Sequence, residues 1–305
     1  MEPIYEGKAK RLYTTDNPNV LRMEYKDDAT AGNGAKKAQF ENKGRMNKAI
    51  TLVIYRMLES KGVKTHLVAD VDDINIDVKK VSILPLEVIV RNIAAGSFSR
   101  RMGVKEGTPF KKPIVEFSYK DDSLGDPFIN DDYAREMNAA TEEECAFLKN
   151  QARIVNDVLI DFFKQAGLTL VDFKIEFGRL AEDPSQIVLA DEISPDTCRL
   201  WDIKTGEKMD KIFPQSPVGQ SMRWSKFKNN DPRDIYDVIS QRVFPAIKNM
   251  KHGRLPDFTE QGDLIEVADD SGSDEQNTTA FARYMSDAMF LIPTPQVLQK
   301  IITGL

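Results

Sequence analysis

Apolar and polar positions alternate strictly from Leu170 to Gly178. Val171, Phe173, Ile175 and Phe177 fall on one side, and Asp172, Lys174 and Glu176 on the other. Successive side chains of a strand point to opposite faces, so the spacing predicts a strand carrying two carboxylates and an ammonium in one row. A second apolar run, Ile187 to Ala190, ends in Asp191-Glu192. Asp183-Pro184-Ser185 between the runs is turn chemistry, which predicts a hairpin joining the two acidic groups at the sheet edge. The same alternation also describes a half-buried strand with a solvated outer face. Beyond the second run, Ser194-Pro195-Asp196-Thr197-Cys198-Arg199 adds a further carboxylate and an arginine, at the kind of position where binding loops sit.

Ahead of this hairpin the pattern divides in two. Glu2 to Tyr5, Lys10 to Tyr13 and Val20 to Tyr25 are short strand-like runs, separated by Gly7 and by Asp16-Asn17-Pro18. Asp27 to Gly34 is too glycine-rich and polar for a regular element. Lys43 to Lys61 has helical spacing, with Met46, Ile50, Val53, Ile54, Met57 and Leu58 apolar and Gly62 as its C-terminal cap. His66 to Val71, Asn75 to Val81 and Leu86 to Val90 read as further strands. From about residue 85 the organisation changes. Thr141 with Glu144 matches a capping box, opening a helix that runs to Lys164-Gln165-Ala166 and stops at Gly167. Its expected buried stripe is Phe147, Leu148, Ile154, Val155, Val158, Leu159 and Phe162. Past Lys211 prolines keep breaking the pattern, and Ala268 to Glu275 reads as a flexible acidic loop or linker. Residues 234–247 and 279–292 have helical character without site chemistry.

Composition narrows the function classes. The 305 residues suffice for two domains, and 30% charged against 41% apolar is an ordinary globular balance. A net charge of −6 argues against broad attraction to nucleic acid or an anionic membrane, while allowing a local basic anion pocket. Cys145 and Cys198 match no metal spacing, which fits a reduced, cytoplasmic protein. With only His66 and His252, a histidine-based triad or zinc site is disfavoured. The first residues lack a signal-peptide core, and no apolar run reaches the ~18 residues of a membrane span.

Three further segments carry candidate chemistry. Gly7-Lys8-Ala9-Lys10 joins the first two strands, with glycine allowing close backbone approach and lysines supplying charge to polyphosphate. It lacks the longer glycine-spaced Walker A form, and taken on its own it reads more readily as a solvated turn. Leu84 to Val90 delivers Arg91 at a strand end, followed by Ala95-Gly96-Ser97 and Arg100-Arg101. An arginine fork beside a hydroxyl suits a sugar phosphate or carboxylate, and it could also tie down a carboxylate between domains. Lys120 to Pro127 is a loop of mixed charge. Hard oxygen ligands of the hairpin type suit Mg²⁺, which takes one or two carboxylates and leaves the rest to water and phosphate. Together these segments point to phosphoryl chemistry, which depends on positioning and charge neutralisation and does not require histidine.

Taken in order, these segments resemble the phosphoribosylaminoimidazole-succinocarboxamide synthase (SAICAR synthase) family. The resemblance rests on Gly7-Lys8-Ala9-Lys10, Asp28 to Gly32, Pro85 to Arg91 with Ala95-Gly96-Ser97, Val171 to Gly178, and Asp191 to Asp196 with Arg199-Leu200-Trp201-Asp202. It covers roughly residues 1–211. The implied fold is α+β, with a β-rich nucleotide-covering N-terminal domain (1–84), a larger ATP-grasp-like catalytic domain (85–211) and an atypical C-terminal segment (212–305). The implied reaction is ATP-dependent joining of carboxyaminoimidazole ribotide (CAIR) to L-aspartate, with the CAIR carboxylate activated as an acyl phosphate. By motif, Lys8, Ala9, Lys10 and Lys120 would hold ATP, and Glu176, Asp191 and Asp126 would hold Mg²⁺. Arg91, Ser97 and Arg199 would grip CAIR, with Asp172, Lys174 and Asp196 completing the reaction centre. After Glu207 to Lys211 the chain departs from the family's Asp-Arg-Phe-Arg-like segment and closing helix, reading Ile212-Phe213-Pro214-Gln215-Ser216-Pro217 instead. A small-molecule kinase, or an ATP-binding protein without turnover, would use the same lysines and carboxylates. A homo-oligomer is left open.

Overall fold

In the computed structural model the described residues are 2–31, 36–39 and 43–209, together with Arg242. The expected acidic linker and the helices at 234–247 and 279–292 lie outside them, Arg242 apart.

The first strands are β1 (Tyr5–Glu6), β2 (Lys10–Thr14) and β3 (Val20–Tyr25). A separate hairpin follows, β4 (Asp28–Ala31) with β5 (Lys36–Gln39). The polar segment expected to be irregular is therefore partly a strand. Two short segments that pair with each other need no apolar periodicity of their own to form a ladder. Helix α1 (Lys43–Ser60) ends where expected, with Gly62 in left-handed backbone at φ +83°. Strands β6 (Leu67–Asp70) and β7 (Asn75–Lys79) complete an antiparallel sheet of order β1-β2-β3-β7-β6.

The second sheet begins with β8 (Val81–Ile93), so sheet membership changes at Lys80. β8 runs unbroken through Pro85. Between the pairs Glu87–Glu176 and Ile83–Gly178 the register shifts, and Pro85 sits in that irregularity, where a missing N–H is tolerated. Then come α2 (Gly96–Met102), β9 (Pro109–Tyr119), β10 (Phe128–Ile129), α3 (Asp131–Glu136) and α4 (Glu142–Gln165). β11 (Leu168–Leu180), β12 (Ile187–Ala190) and β13 (Cys198–Asp202) close the described fold.

The capping box of α4 forms as expected. The Thr141 hydroxyl accepts from the Glu144 N–H at 3.2 Å, and the Glu144 carboxylate accepts from the Thr141 N–H at 2.8 Å. The buried stripe differs from the expected one: Cys145, Leu148, Ala152, Val155, Leu159 and Phe162 are buried, whereas Phe147 is 38% exposed. Small Cys145 and Ala152 continue the three-four spacing of the stripe, and Phe147 falls outside it. α4 lies on β8, β9 and β11, and one apolar cluster extends from Met23, Ile54 and Ile76 to Phe117, Phe162 and Phe177. Both sheets thus share a core.

α1 meets β3 closely at Gly44. Its N–H donates to Asp27 Oδ1 at 2.9 Å, and a Cβ at this position would stand 2.7 Å from the Tyr25 carbonyl oxygen. Gly44→Ala must therefore push the start of α1 away from backbone. The expected loss is about 1–3 kcal/mol, read as a lower melting temperature by circular dichroism. An unchanged midpoint would show that the helix start gives way without cost.

Candidate functional site

β11 is an interior strand rather than an edge. β8 pairs with it on one side, and on the other side two strands share it: β13 beside Leu168 to Phe173, and β12 beside Glu176 to Arg179. The extra strand β13, returning after the hairpin, is what removes β11 from the edge. The segment joining β12 to β13 leaves the sheet at mid-strand, and the Lys174 N–H donates to the Thr197 carbonyl at 2.9 Å. Asp191 follows Ala190, which lies opposite Glu176. Asp191 adopts left-handed backbone at φ +63°, uncommon for a residue other than glycine, and this turns the chain out of the ladder.

The structure brings Glu176 and Asp191 together with two lysines. Lys120 Nζ lies 2.5 Å from Glu176 Oε2, while Lys10, from β2 of the first sheet, bonds Asp191 and lies 2.9 Å from Glu192 Oε1. Burial alone would raise both carboxyls. For Glu176 burial and the nearby Asp191 charge prevail and its pKa is raised, whereas Lys10 holds Asp191 below its usual value. Burial would lower Lys10, but Asp191 and Glu192 carry it well above an ordinary lysine. Lys8 is exposed and reaches Asp122 Oδ1 at 2.9 Å. Ala9 contributes backbone, its carbonyl accepting from the Lys26 N–H at 2.8 Å. Asp126 is engaged in its own loop, where Oδ1 accepts from the Asp121 N–H at 3.0 Å.

Toward the other end of the row, Asp172 is buried and its Oδ2 accepts from two arginines, Arg91 Nη1 at 3.0 Å and Arg199 Nη1 at 2.8 Å. Arg91 Nη2 is 3.5 Å from Ser97 Oγ. A Cβ on Gly96 would stand 2.7 Å from Arg199 Nη2, so only glycine lets the guanidinium lie against that backbone. Between the two ends Lys174 pairs with Glu87 at 2.5 Å; burial would lower its pKa, but Glu87 raises it. Asp196 pairs at 2.5 Å with Lys43, the wholly buried first residue of α1.

Lys43, Glu87 and Glu116 were not singled out by sequence. Glu87 stands in a strand whose apolar run drew attention to Arg91 alone, and Glu116 falls in a segment, β9, with no distinctive pattern. Their partners, Lys174 and Arg91, are defined only by long-range pairing.

The SAICAR synthetase family model matches residues 3–229, past Lys211. A phosphoribosylaminoimidazole-succinocarboxamide synthase of Akkermansia muciniphila is 99% identical over 222 residues, covering 73% of this chain and 94% of that protein. Among solved structures, a phosphoribosylaminoimidazole-succinocarboxamide synthase from Ehrlichia chaffeensis has a TM-score of 0.72 at 39% identity, over 79% of this chain and 98% of that one. A SAICAR synthetase in complex with ADP has a TM-score of 0.70 at 41% identity, over 78% of this chain and 96% of that one.

Beneath the acidic pair lies His66. Its N–H donates to the Leu189 carbonyl at 2.8 Å, its ring meets Tyr55 edge-on at 5.7 Å, and burial lowers its pKa from 6.5 to about 4. The unfolded chain therefore binds a proton near pH 6.5 that the folded chain takes only near pH 4. Stability from this group is complete above the unfolded value and falls as pH drops through the window, by about 3 kcal/mol at its lower end. Urea midpoints at pH 7 and pH 4.5 should diverge less for His66→Gln than for the native protein; equal divergence would assign the acid sensitivity to other groups.

Proposed function

The chain belongs to the SAICAR synthetase family, and on that premise we propose that it joins CAIR to L-aspartate at the expense of ATP, releasing SAICAR, ADP and phosphate. The observation that carries this reading is the row along β11. A lysine-carboxylate cluster at Glu176 and an arginine cluster at Asp172 stand roughly 13 Å apart, with Lys174 between them. That span suits a nucleotide phosphate at one end and an anionic co-substrate at the other.

In this reading Lys8, Lys10 and Lys120 contact the ATP phosphates, and backbone at Ala9 borders the nucleotide. The relative in complex with ADP supports nucleotide use at this fold. Arg91, Ser97 and Arg199 bind CAIR. A CAIR carboxylate oxygen attacks the γ-phosphorus and ADP departs; the aspartate amine then attacks the acyl carbon and phosphate departs, the amine's proton passing to a base. Lys174 and the Asp172 and Asp196 carboxylates surround that exchange, and each is held by an opposite charge that fixes its direction.

The donor chemistry at Glu176 and Asp191 fits Mg²⁺. Both are hard oxygen ligands, and both already draw cationic partners. Among the described residues no set of three or more potential ligands gathers, so water and phosphate would complete the coordination. A bound Mg²⁺ would neutralise polyphosphate charge. Asp126, tied into its loop, is the weaker candidate. No helix among the described residues is long and apolar enough to cross a membrane.

Glu176→Gln and Asp191→Asn should each reduce ADP release by at least about a hundredfold in an assay with ATP, Mg²⁺, CAIR and aspartate, with the fold retained. Rates near native at saturating Mg²⁺ would sink the metal assignment.

Lys120 and the metal compete for Glu176. Lys120→Met should therefore tighten Mn²⁺ binding without nucleotide by roughly three- to tenfold while weakening ADP binding by a similar factor. Paramagnetic resonance of free Mn²⁺ and calorimetry with ADP measure the two. Looser metal binding in the variant would overturn the idea that this ammonium holds the cation's place.

A further inference from the structure

Arg91 is nearly fully buried, so its guanidinium must find its donors' partners within the protein or in a ligand. Nε–H donates to Glu116 Oε1 at 2.6 Å and Nη1 to Asp172 Oδ2 at 3.0 Å. Nη2 is left with the long contact to Ser97 Oγ at 3.5 Å. Two carboxylates on different strands, β9 and β11, thus fix the rotation of the planar fork and turn its third nitrogen toward Ser97.

Glu116 is itself held. Arg101 Nη2 lies 3.3 Å from both of its carboxylate oxygens, and the Arg101 guanidinium stacks 3.5 Å over the Phe128 ring. Phe98 and Phe128 flank Arg91 at 6.0 and 5.8 Å. A guanidinium between aromatic rings keeps its charge but has no directional partner from them, so its angle depends on the carboxylates.

We propose that Glu116 is a positioning residue for the anionic substrate, aiming Arg91 Nη2 into the space beside Ser97, with Arg101 and Phe128 holding Glu116 in place. This rests on the reading of Arg91 as a CAIR contact. Asp172 alone cannot do the same work, because it also accepts from Arg199 and contacts only one nitrogen of Arg91. Nothing in the Glu116 contacts reaches the nucleotide end of β11, so its effect should be confined to one substrate.

Glu116→Gln keeps the shape and one acceptor while removing the charge. In the full chain, KM for CAIR should rise about tenfold, KM for ATP should stay within about twofold, and the melting temperature should move little. Arg101→Lys loosens Glu116 without touching Arg91, and should raise KM for CAIR about two- to threefold; it also serves if Glu116→Gln folds poorly. Calorimetry with CAIR alone should show the same losses.

Unchanged CAIR affinity in folded Glu116→Gln, or KM for both substrates rising together with a fallen melting temperature, would overturn the positioning role. The native protein is the control for the reading beneath it. If native protein released no ADP on addition of CAIR and aspartate, the functional reading itself would fail; an active native enzyme with an indifferent Glu116→Gln would reject only Glu116.

Discussion

Ammonium–carboxylate contacts between the first sheet with its helix and the segment after β12 decide how the rest of the site is arranged. Lys10 from β2 meets Asp191 and Glu192, and Lys43 from α1 meets Asp196. Each partner is at least partly withdrawn from water, and Lys43 is wholly buried. Such pairs gain little net stability, because desolvation offsets attraction, but breaking one leaves an uncompensated charge. The contacts therefore act as a constraint: the segment from Asp191 to Asp196 can sit in the fold only where those lysines are. The shared apolar core sets the two sheets against each other, and the lysines then fix where the acidic segment lies between them.

The sheet supplies the second half of the arrangement. A strand flanked on one side by a single neighbour and on the other by two successive ones has a gap in its ladder, and the joining segment emerges there. β11 is built so, with β12 and β13 sharing one side. The gap places Asp191 and Asp196 beside Lys174 without lengthening any loop. The left-handed backbone at Asp191 is the local cost, of order 1–3 kcal/mol by the usual range for such positions, and it is held by the Lys10 pair and by pairing of Leu189 with the turn at His66.

Much of this was legible in the sequence, and the part that was not has a common cause. Strict alternation identified the faces of β11, and turn chemistry identified its hairpin, because both signals are local. The capping box and the glycine after α1 were legible for the same reason. What sequence could not supply was which strand lay next to which. β11 looked like an edge because its third neighbour, β13, comes from beyond the hairpin; Glu116 went unmarked because its partner Arg91 is 25 positions away. Lys43 carries no local mark at all, its role being defined by a partner 153 positions on. At Asp126 the family resemblance suggested a ligand, and the structure adds what no local pattern signalled, a left-handed turn and a bond to the Asp121 N–H.

The charges of the site are balanced internally, and this changes how ligand binding must be understood. A cluster of bare carboxylates and lysines would bind metal and phosphate by simple attraction, and would also be costly to fold. Here the Glu176 and Asp191 carboxylates each already hold an ammonium, and Lys8, Lys10 and Lys120 each already hold a carboxylate. In the proposed reading nucleotide and metal would enter by exchange, with lysines passing to phosphate oxygens and carboxylates to the cation. An exchange of partners keeps every buried charge compensated before and after, so the large desolvation terms nearly cancel. It would also make the two ligands mutually dependent, since a lysine released by the metal would be the lysine that phosphate needs. At the arginine end the logic differs: Glu116 and Asp172 engage two of the three Arg91 nitrogens and leave the third with its long contact to Ser97, where in the proposed reading an anion would be added without displacing either carboxylate. On that reading one strand would carry a site filled by exchange and a site filled by addition, with the row Asp172, Lys174, Glu176 keeping them in line.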